Sequence, residues 1–209
     1  MRLPSTTLPS HRHRIVAAAR TRLLATGYQA LTMDDLAREL GMSKKTLYLH
    51  FPGKDALVEE ILNGVVAEIR AEADALFANQ DLTFIEKLLR FTEGMTRRFM
   101  GISPLCLRDL QRFAPHLYLR IEELRHKNIP LVFGRLVREG RDAGVVRADV
   151  DPAFAVEFWR PAVQSLMHPD SLERLGLRPD QVFKQGIALF FGGLLTPAGH
   201  KAYEKQFSR

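Results

Sequence analysis

Apolar residues recur at helical spacing along nearly the whole chain, and no alternation of period two lasts long enough to make a strand. The first stripe is Ile15, Ala19 and Leu23, flanked by Ala18. It predicts a helix over residues 10–26, with Gly27 closing it in the left-handed conformation. Thr32 stands as the N-cap of a second helix, and Asp35 completes a capping box. Met33, Leu36, Ala37 and Leu40 then follow the i, i+3, i+4, i+7 pattern. After Gly41, Ser43 caps a third helix that carries Leu47 and Phe51. Pro52 stops it, because proline cannot extend the backbone ladder. A fourth helix opens at Gly53-Lys54 and reaches about Ala78 on a stripe of Leu57, Ile61, Val65 and Ile69. Further helices are predicted over residues 82–100, 104–113, 115–143, 151–168 and 179–195, with a short one from Pro197. Residues 143–150 and 169–178 read as loops, and Pro161 is expected to kink its helix.

Two short helices joined by a tight glycine turn make a helix-turn-helix. Ala37 is small enough for close packing, Gly41 permits the turn and Leu47 fills the wedge. In such a unit the second helix enters the DNA major groove by its N-terminal end, and here that end reads Ser43-Lys44-Lys45-Thr46. Free N–H groups and the helix dipole also favour phosphate there. The charge distribution sharpens this picture. Residues 1–54 carry nine basic side chains (Arg2 among them) against three acidic ones, while the remaining residues balance at 21 of each sign, so the whole net charge of +6 sits in the first quarter. A basic module on a neutral body points to a polyanion for the first part alone, or to a merely solubilising face. The fold class is therefore all-α. A three-helix DNA-binding unit spans residues 10–56, and a larger helical domain spans 57–209.

The stretch Leu31 to Leu57, LTMDDLARELGMSKKTLYLHFPGKDAL, closely resembles the DNA-binding signature of the TetR family of bacterial regulators. Thr32, Ala37, Gly41, Ser43, Tyr48, His50, Phe51, Lys54 and Leu57 carry the match, and Ile15 to Tyr28 resembles the family's first helix. Arg22 departs from the pattern where an apolar residue is usual, and Leu40 and Met42 replace a common alanine and valine. The resemblance implies that Thr32, Ser43 and Thr46 bind phosphate through their hydroxyls, with Tyr48, His50 and Lys54 on further backbone oxygens. Such contacts set position rather than sequence. Lys44 and Lys45 are the candidates for guanine edges, and Leu49 for a thymine methyl. Each assignment has a plainer alternative. Thr32 and Ser43 cap helices, Tyr48 and His50 suit a core, and Arg12 and Arg14 make either a minor-groove arm or a solvated one.

The resemblance also implies a homodimer on double-stranded operator DNA, held by a four-helix bundle of the late helices. The stripes Phe154, Phe158, Ala162 (continuing to Leu166) and Phe183, Ile187, Phe190, Leu194 are the candidates, or else monomer core. Between residues 84 and 133, Phe91, Met95, Phe99, Leu105, Leu110, Phe113, Leu117 and Tyr118 suit an adaptable apolar cavity for a small-molecule effector, or ordinary core. Arg97, Arg98, Arg108 and Arg112 stand near as anion ligands or as solvated surface. The single cysteine, Cys106, excludes an intrachain disulfide and reads as a redox sensor or an inert buried thiol. His116, His126 and His168 lack metal spacing, so neither a metal nor a cofactor is expected. The N-terminal stretch with Pro4 and Pro9 has no signal core and no run is long enough to span a bilayer, so a cytoplasmic protein without a membrane partner is expected. The function expected is an effector-responsive repressor and not an enzyme. The alternatives are a regulator without a small ligand, an activator, or an all-α enzyme, for which no nucleophile–base pair or phosphate loop appears.

Overall fold

The computed structural model describes residues 10–207, and the side chains of Gln206 and Phe207 are not described. Arg2 of the basic count and the Pro4–Pro9 stretch lie outside these residues. The described chain is a succession of helices: α1 (His11–Ala30), α2 (Met33–Glu39), α3 (Lys44–His50), α4 (Lys54–Ala78), α5 (Phe84–Met100), α6 (Pro104–Phe113), α7 (Pro115–Asp142), α8 (Pro152–Leu166), α9 (Pro169–Leu175), α10 (Pro179–Leu194) and α11 (Pro197–Phe207). The sole extended pairing among them is an isolated bridge between Val146 and Leu195. None of the described helices is long and apolar enough to cross a membrane.

Local chemistry accounts for most boundaries. Thr32, Ser43, Thr83, Ser103 and Asp151 each accept a backbone N–H of the first turn that follows them. Two departures from the sequence expectation have physical causes. Gly27 has the positive φ foreseen (87°), but its ψ of 176° is extended, so it breaks α1 and one further turn to Ala30 follows. Residues 169–178 are not all loop. His168 caps α9, Pro169 occupies its first position, and Gly176 terminates it at φ 63°.

Two hydrophobic clusters organise the molecule. The first joins Ile15, Ala19, Leu23, Leu36, Leu47, Phe51, Leu57 and Ile61 to Cys106, Leu110, Ala114, Leu117 and Tyr118 from α6 and the start of α7. The packing of the N-terminal helices therefore runs on into α6 without a gap at residue 56. The second cluster is built by α5, α7, α8 and α10 around Phe91, Phe133, Trp159, Phe190 and Phe191, with ring centroids 4.8 Å apart for Trp159–Phe190 and 5.3 Å for Phe133–Trp159.

This second cluster corrects one expectation. Phe183, Ile187, Phe190 and Leu194 are buried within the single chain and are not available to a partner. The amphipathic stripe of α10 is consumed by α5 and α8. The opposite face of α10 carries the exposed Ala188, Leu189, Gly192 and Gly193.

Candidate nucleic-acid interface and internal cavity

The helix-turn-helix forms around one inward side chain. Of the seven residues of α3, Leu47 alone is buried, and it packs in the cluster with Leu36, Ala37 and Phe51. Ser43 accepts the Thr46 N–H at 3.0 Å, and the Ser43 and Thr46 hydroxyls lie 2.8 Å apart. Thr32 accepts the Asp35 N–H at 3.1 Å while its hydroxyl donates to the Asp35 carboxylate at 2.7 Å. Gly41 turns between the helices at φ 63°. Thr32, Ser43, Lys44, Lys45, Tyr48 and Leu49 are thus presented on one outer surface, with Thr46 and His50 half-buried beside them. Leu49 is 77% and Tyr48 48% exposed. None of the described residues covers this polar and apolar mixture.

The cations divide by their partners. Lys44 donates to Asp34 at 2.6 Å, whereas Lys45 forms no ion pair among the described residues. Lys54 turns towards its own fold: its Nζ lies 3.8 Å from the Tyr28 ring centroid and donates to the Tyr28 carbonyl at 3.0 Å. Burial holds it below the usual lysine range, against the opposing pull of Asp55 and Asp109. Arg12 belongs to no flexible arm. It lies in the first turn of α1, donates to the His50 carbonyl at 3.1 Å, pairs with Glu60 at 3.1 Å and covers the Phe51 ring at 4.4 Å. Arg14 is on the same helix, exposed.

Behind this unit, α6 is fastened to α1. The Ser103 N–H donates to the Leu24 carbonyl at 2.9 Å, and the buried Asp109 carboxylate accepts the Gln29 N–H at 3.1 Å. The two bonds straddle the break at Gly27. Next to this junction lies a cavity of about 210 Å³. Its walls come from Leu23 and Leu24 of α1, Ile61, Val65 and Ile69 of α4, Phe91, Met95 and Phe99 of α5, Cys106 and Leu110 of α6, and Ile121, Leu124 and Phe133 of α7. Val163, Met167 and Phe183 close the far side.

A family model for bacterial regulatory proteins of the tetR family matches residues 15–61. Residues 15–61 are thus similar to the DNA-binding region of that family. Among its relatives, an uncharacterised HTH-type transcriptional regulator, YvaF of Bacillus subtilis, is 24% identical over 86% of this chain and 93% of that protein. The HTH-type transcriptional repressor KstR2 of Mycolicibacterium smegmatis is 23% identical over 92% of this chain and 94% of its own. The fold is shared with a TetR regulator of Legionella pneumophila at a TM-score of 0.67, 16% identity and coverage of 91% and 100% of the two chains. The protein is accordingly a DNA-binding transcription regulator with an N-terminal helix-turn-helix and a larger helical body.

The cavity residues read from the sequence are only partly brought together. Phe91, Met95, Phe99 and Leu110 line the cavity. Leu105 and Phe113 do not; they stand exposed, because α6 turns Cys106, Leu107 and Leu110 inward instead. Leu117 and Tyr118 are buried but belong to the first cluster, since α7 starts at the α6 corner and reaches the cavity only from Ile121 onwards. Leu23, Leu24, Val65, Val66, Ile69 and Ile121 were missed as lining. Val65 and Ile69 were legible as an apolar stripe, but nothing local says that the stripe faces a void. Of the arginines suggested as anion ligands, Arg98 is tied to Glu68 and Glu72, Arg108 to Glu173, and Arg112 rests over Phe113. Cys106 is buried, and that burial, with Asp109 nearby, pushes its thiol up to about 12, away from the reactive thiolate.

Proposed function

We propose that this protein is a TetR-type repressor that binds a near-palindromic operator as a homodimer and is released by a small, largely apolar ligand. One observation carries the reading. A single apolar cavity is walled at once by α1 of the reading unit, by α4 and by α6. A ligand that widens it presses on Leu23 and Leu24 of α1 and on α6 among its walls. The Ser103–Leu24 and Asp109–Gln29 bonds make α1 follow α6. The reading unit (10–56) and the effector and dimer body (57–209) are then functional divisions coupled through continuous packing.

On DNA, two recognition helices about 34 Å apart meet successive turns of the groove. Lys45, and Lys44 once exchanged from Asp34, donate to guanine edges, and Leu49 meets a thymine methyl. Thr32, Ser43, Thr46, Tyr48 and His50 contact phosphates, and Lys54 does so once its ammonium swings out from the Tyr28 carbonyl. A shift of α1 spoils the spacing between half-sites, so ligand and operator disfavour each other reciprocally. The two-fold partner covers the outer face of α8 and α10. There Phe154 (66%), Phe158 (63%) and Leu189 (80%) are exposed beside Ala162, and Gly192 and Gly193 have open space where a side chain would stand. Large apolar side chains left exposed on two helices that pack together mark an interface. The protein works in the cytoplasm, where its DNA is.

The test is a mobility shift on the DNA upstream of its own coding region. Binding weakens with salt at a log–log slope of about −0.9 per phosphate neutralised. Lys45→Ala relaxes base preference, whereas Tyr48→Phe weakens all sequences alike. No preference for any duplex at low salt refutes the reading. A ligand that raises the melting temperature but leaves operator affinity unchanged refutes the release mechanism.

A further inference from the structure

The cavity wall is apolar almost everywhere, and its polarity is gathered in one place. Arg125 and Asn128 of α7 are the only charged or amide side chains among its lining residues. Arg125 is already engaged: it donates to Glu122 at 2.7 Å and both side chains are largely buried. Asn128 marks an exit. Together with Val66 and Leu124 it lines both the cavity and a more open groove between α4 and α7.

The groove is cationic where it meets the cavity. Arg70, Arg120 and Lys127 stand along it against one carboxylate, Asp74, which is taken by Arg135 at 3.0 Å. Arg120 is answered by Glu123 at 3.0 Å and Glu59 at 4.0 Å. Arg70 and Lys127 form no ion pair among the described residues. The Arg70 Nε donates to the side-chain amide oxygen of Asn128, which lines the mouth, at 2.5 Å, and its two terminal nitrogens remain for a planar anion.

We infer that the effector is an amphipathic anion, with its apolar body in the cavity and its carboxylate or phosphate head at the α4–α7 mouth, held by Arg70 and Lys127. This rests on the effector-responsive reading above and names the ligand class for it. The volume limits the body. At about 30 Å³ per water-sized group, 210 Å³ holds about seven such groups without expansion. A longer body requires the walls to part, and those walls include α1 and α6. The head draws α4 and α7 together at Arg70 and Asn128, so one molecule acts on both sides of the reading unit's attachment.

The experiment compares sodium octanoate, octyl phosphate and 1-octanol, below their micellar concentrations, by calorimetric titration and by release of the operator. The same chain with three heads isolates the charge. At least one of the two anions binds about tenfold or more tighter than the alcohol and releases DNA. Arg70→Ala removes that preference while leaving alcohol binding and ligand-free operator affinity unchanged, and the exposed Lys127→Ala reduces it less. Carboxylate and phosphate sources are distinguished by which anion is preferred. Equal binding of all three, or a preference that survives Arg70→Ala, overturns the anionic head and leaves the apolar effector standing. Binding of none, with Met95→Trp filling the cavity at no cost to operator control, overturns the head and the effector cavity together.

Discussion

Replacing Gly27 by alanine tests whether the α1–α6 fastening is what positions the reading unit. At φ 87° and ψ 176°, Gly27 occupies a region essentially restricted to glycine, and a side chain there costs about 1–3 kcal/mol of backbone strain. Space adds a second cost. A Cβ would lie 2.5 Å from Asp109 Oδ2 and 3.1 Å from its Cγ, so the carboxylate must move. Asp109 is buried and accepts the Gln29 N–H; losing a hydrogen bond to a charged group costs about 1.5–3 kcal/mol. A total of about 2.5 kcal/mol is a conservative sum of the two lower bounds, and for a chain of this length it lowers the melting temperature by about 5–10 °C. The assay is thermal and urea unfolding at one fixed protein concentration, because dimerisation adds concentration-dependent stability. Gly64→Ala is the control of opposite sign. It lies mid-helix in α4 with open space around it and gains about 0.5–1 kcal/mol. Combined with Asp109→Ala, the Gly27→Ala penalty shrinks by its steric part, a coupling of about 1–2 kcal/mol. A melting temperature within 2 °C of the parent, or strict additivity in the double variant, refutes the assignment of Gly27 and Asp109 to a shared close contact.

Three further outcomes follow from the geometry. Phe158→Glu places a charge on the outer face of α8 without touching the core, so light scattering is expected to show a folded monomer with operator affinity at least about 100-fold weaker; a dimer of unchanged size refutes that face as the interface. With its thiol pushed up to about 12, Cys106 is about one part in ten thousand thiolate at pH 8, so a disulfide reagent is expected to react only on unfolding. Tyr28 is likewise raised to about 12, by burial and then by Asp55. Both groups stabilise the fold as neutral acids at low pH. Stability therefore falls as pH rises from their unfolded values, about 8.5 and 10, through about 12, and rapid native labelling at pH 8 refutes the burial of Cys106.

The sequence by itself determined most of what neighbours a few residues apart set, α9 being the exception. Thr32, Ser43 and Asp151 announced helix starts, Gly41 the tight turn, Pro52 the stop, and Leu47 the inward side chain of α3, because capping, turning and 3.6-residue periodicity are local. The excess of basic residues in the first quarter needed only counting. What covers an apolar stripe is not local, and the fold alone decided it. Phe183 to Leu194 looked like a partner's face until α5 and α8 closed over it, while Phe154 and Phe158 stayed bare. Leu105 and Phe113 carry the composition of a cavity wall yet face water. Leu23 and Leu24 look like plain core and border a void. A helical pattern specifies which side is apolar; only the packing of distant segments specifies whether that side meets a neighbour, a cavity or solvent, because hydrophobic attraction has no direction of its own.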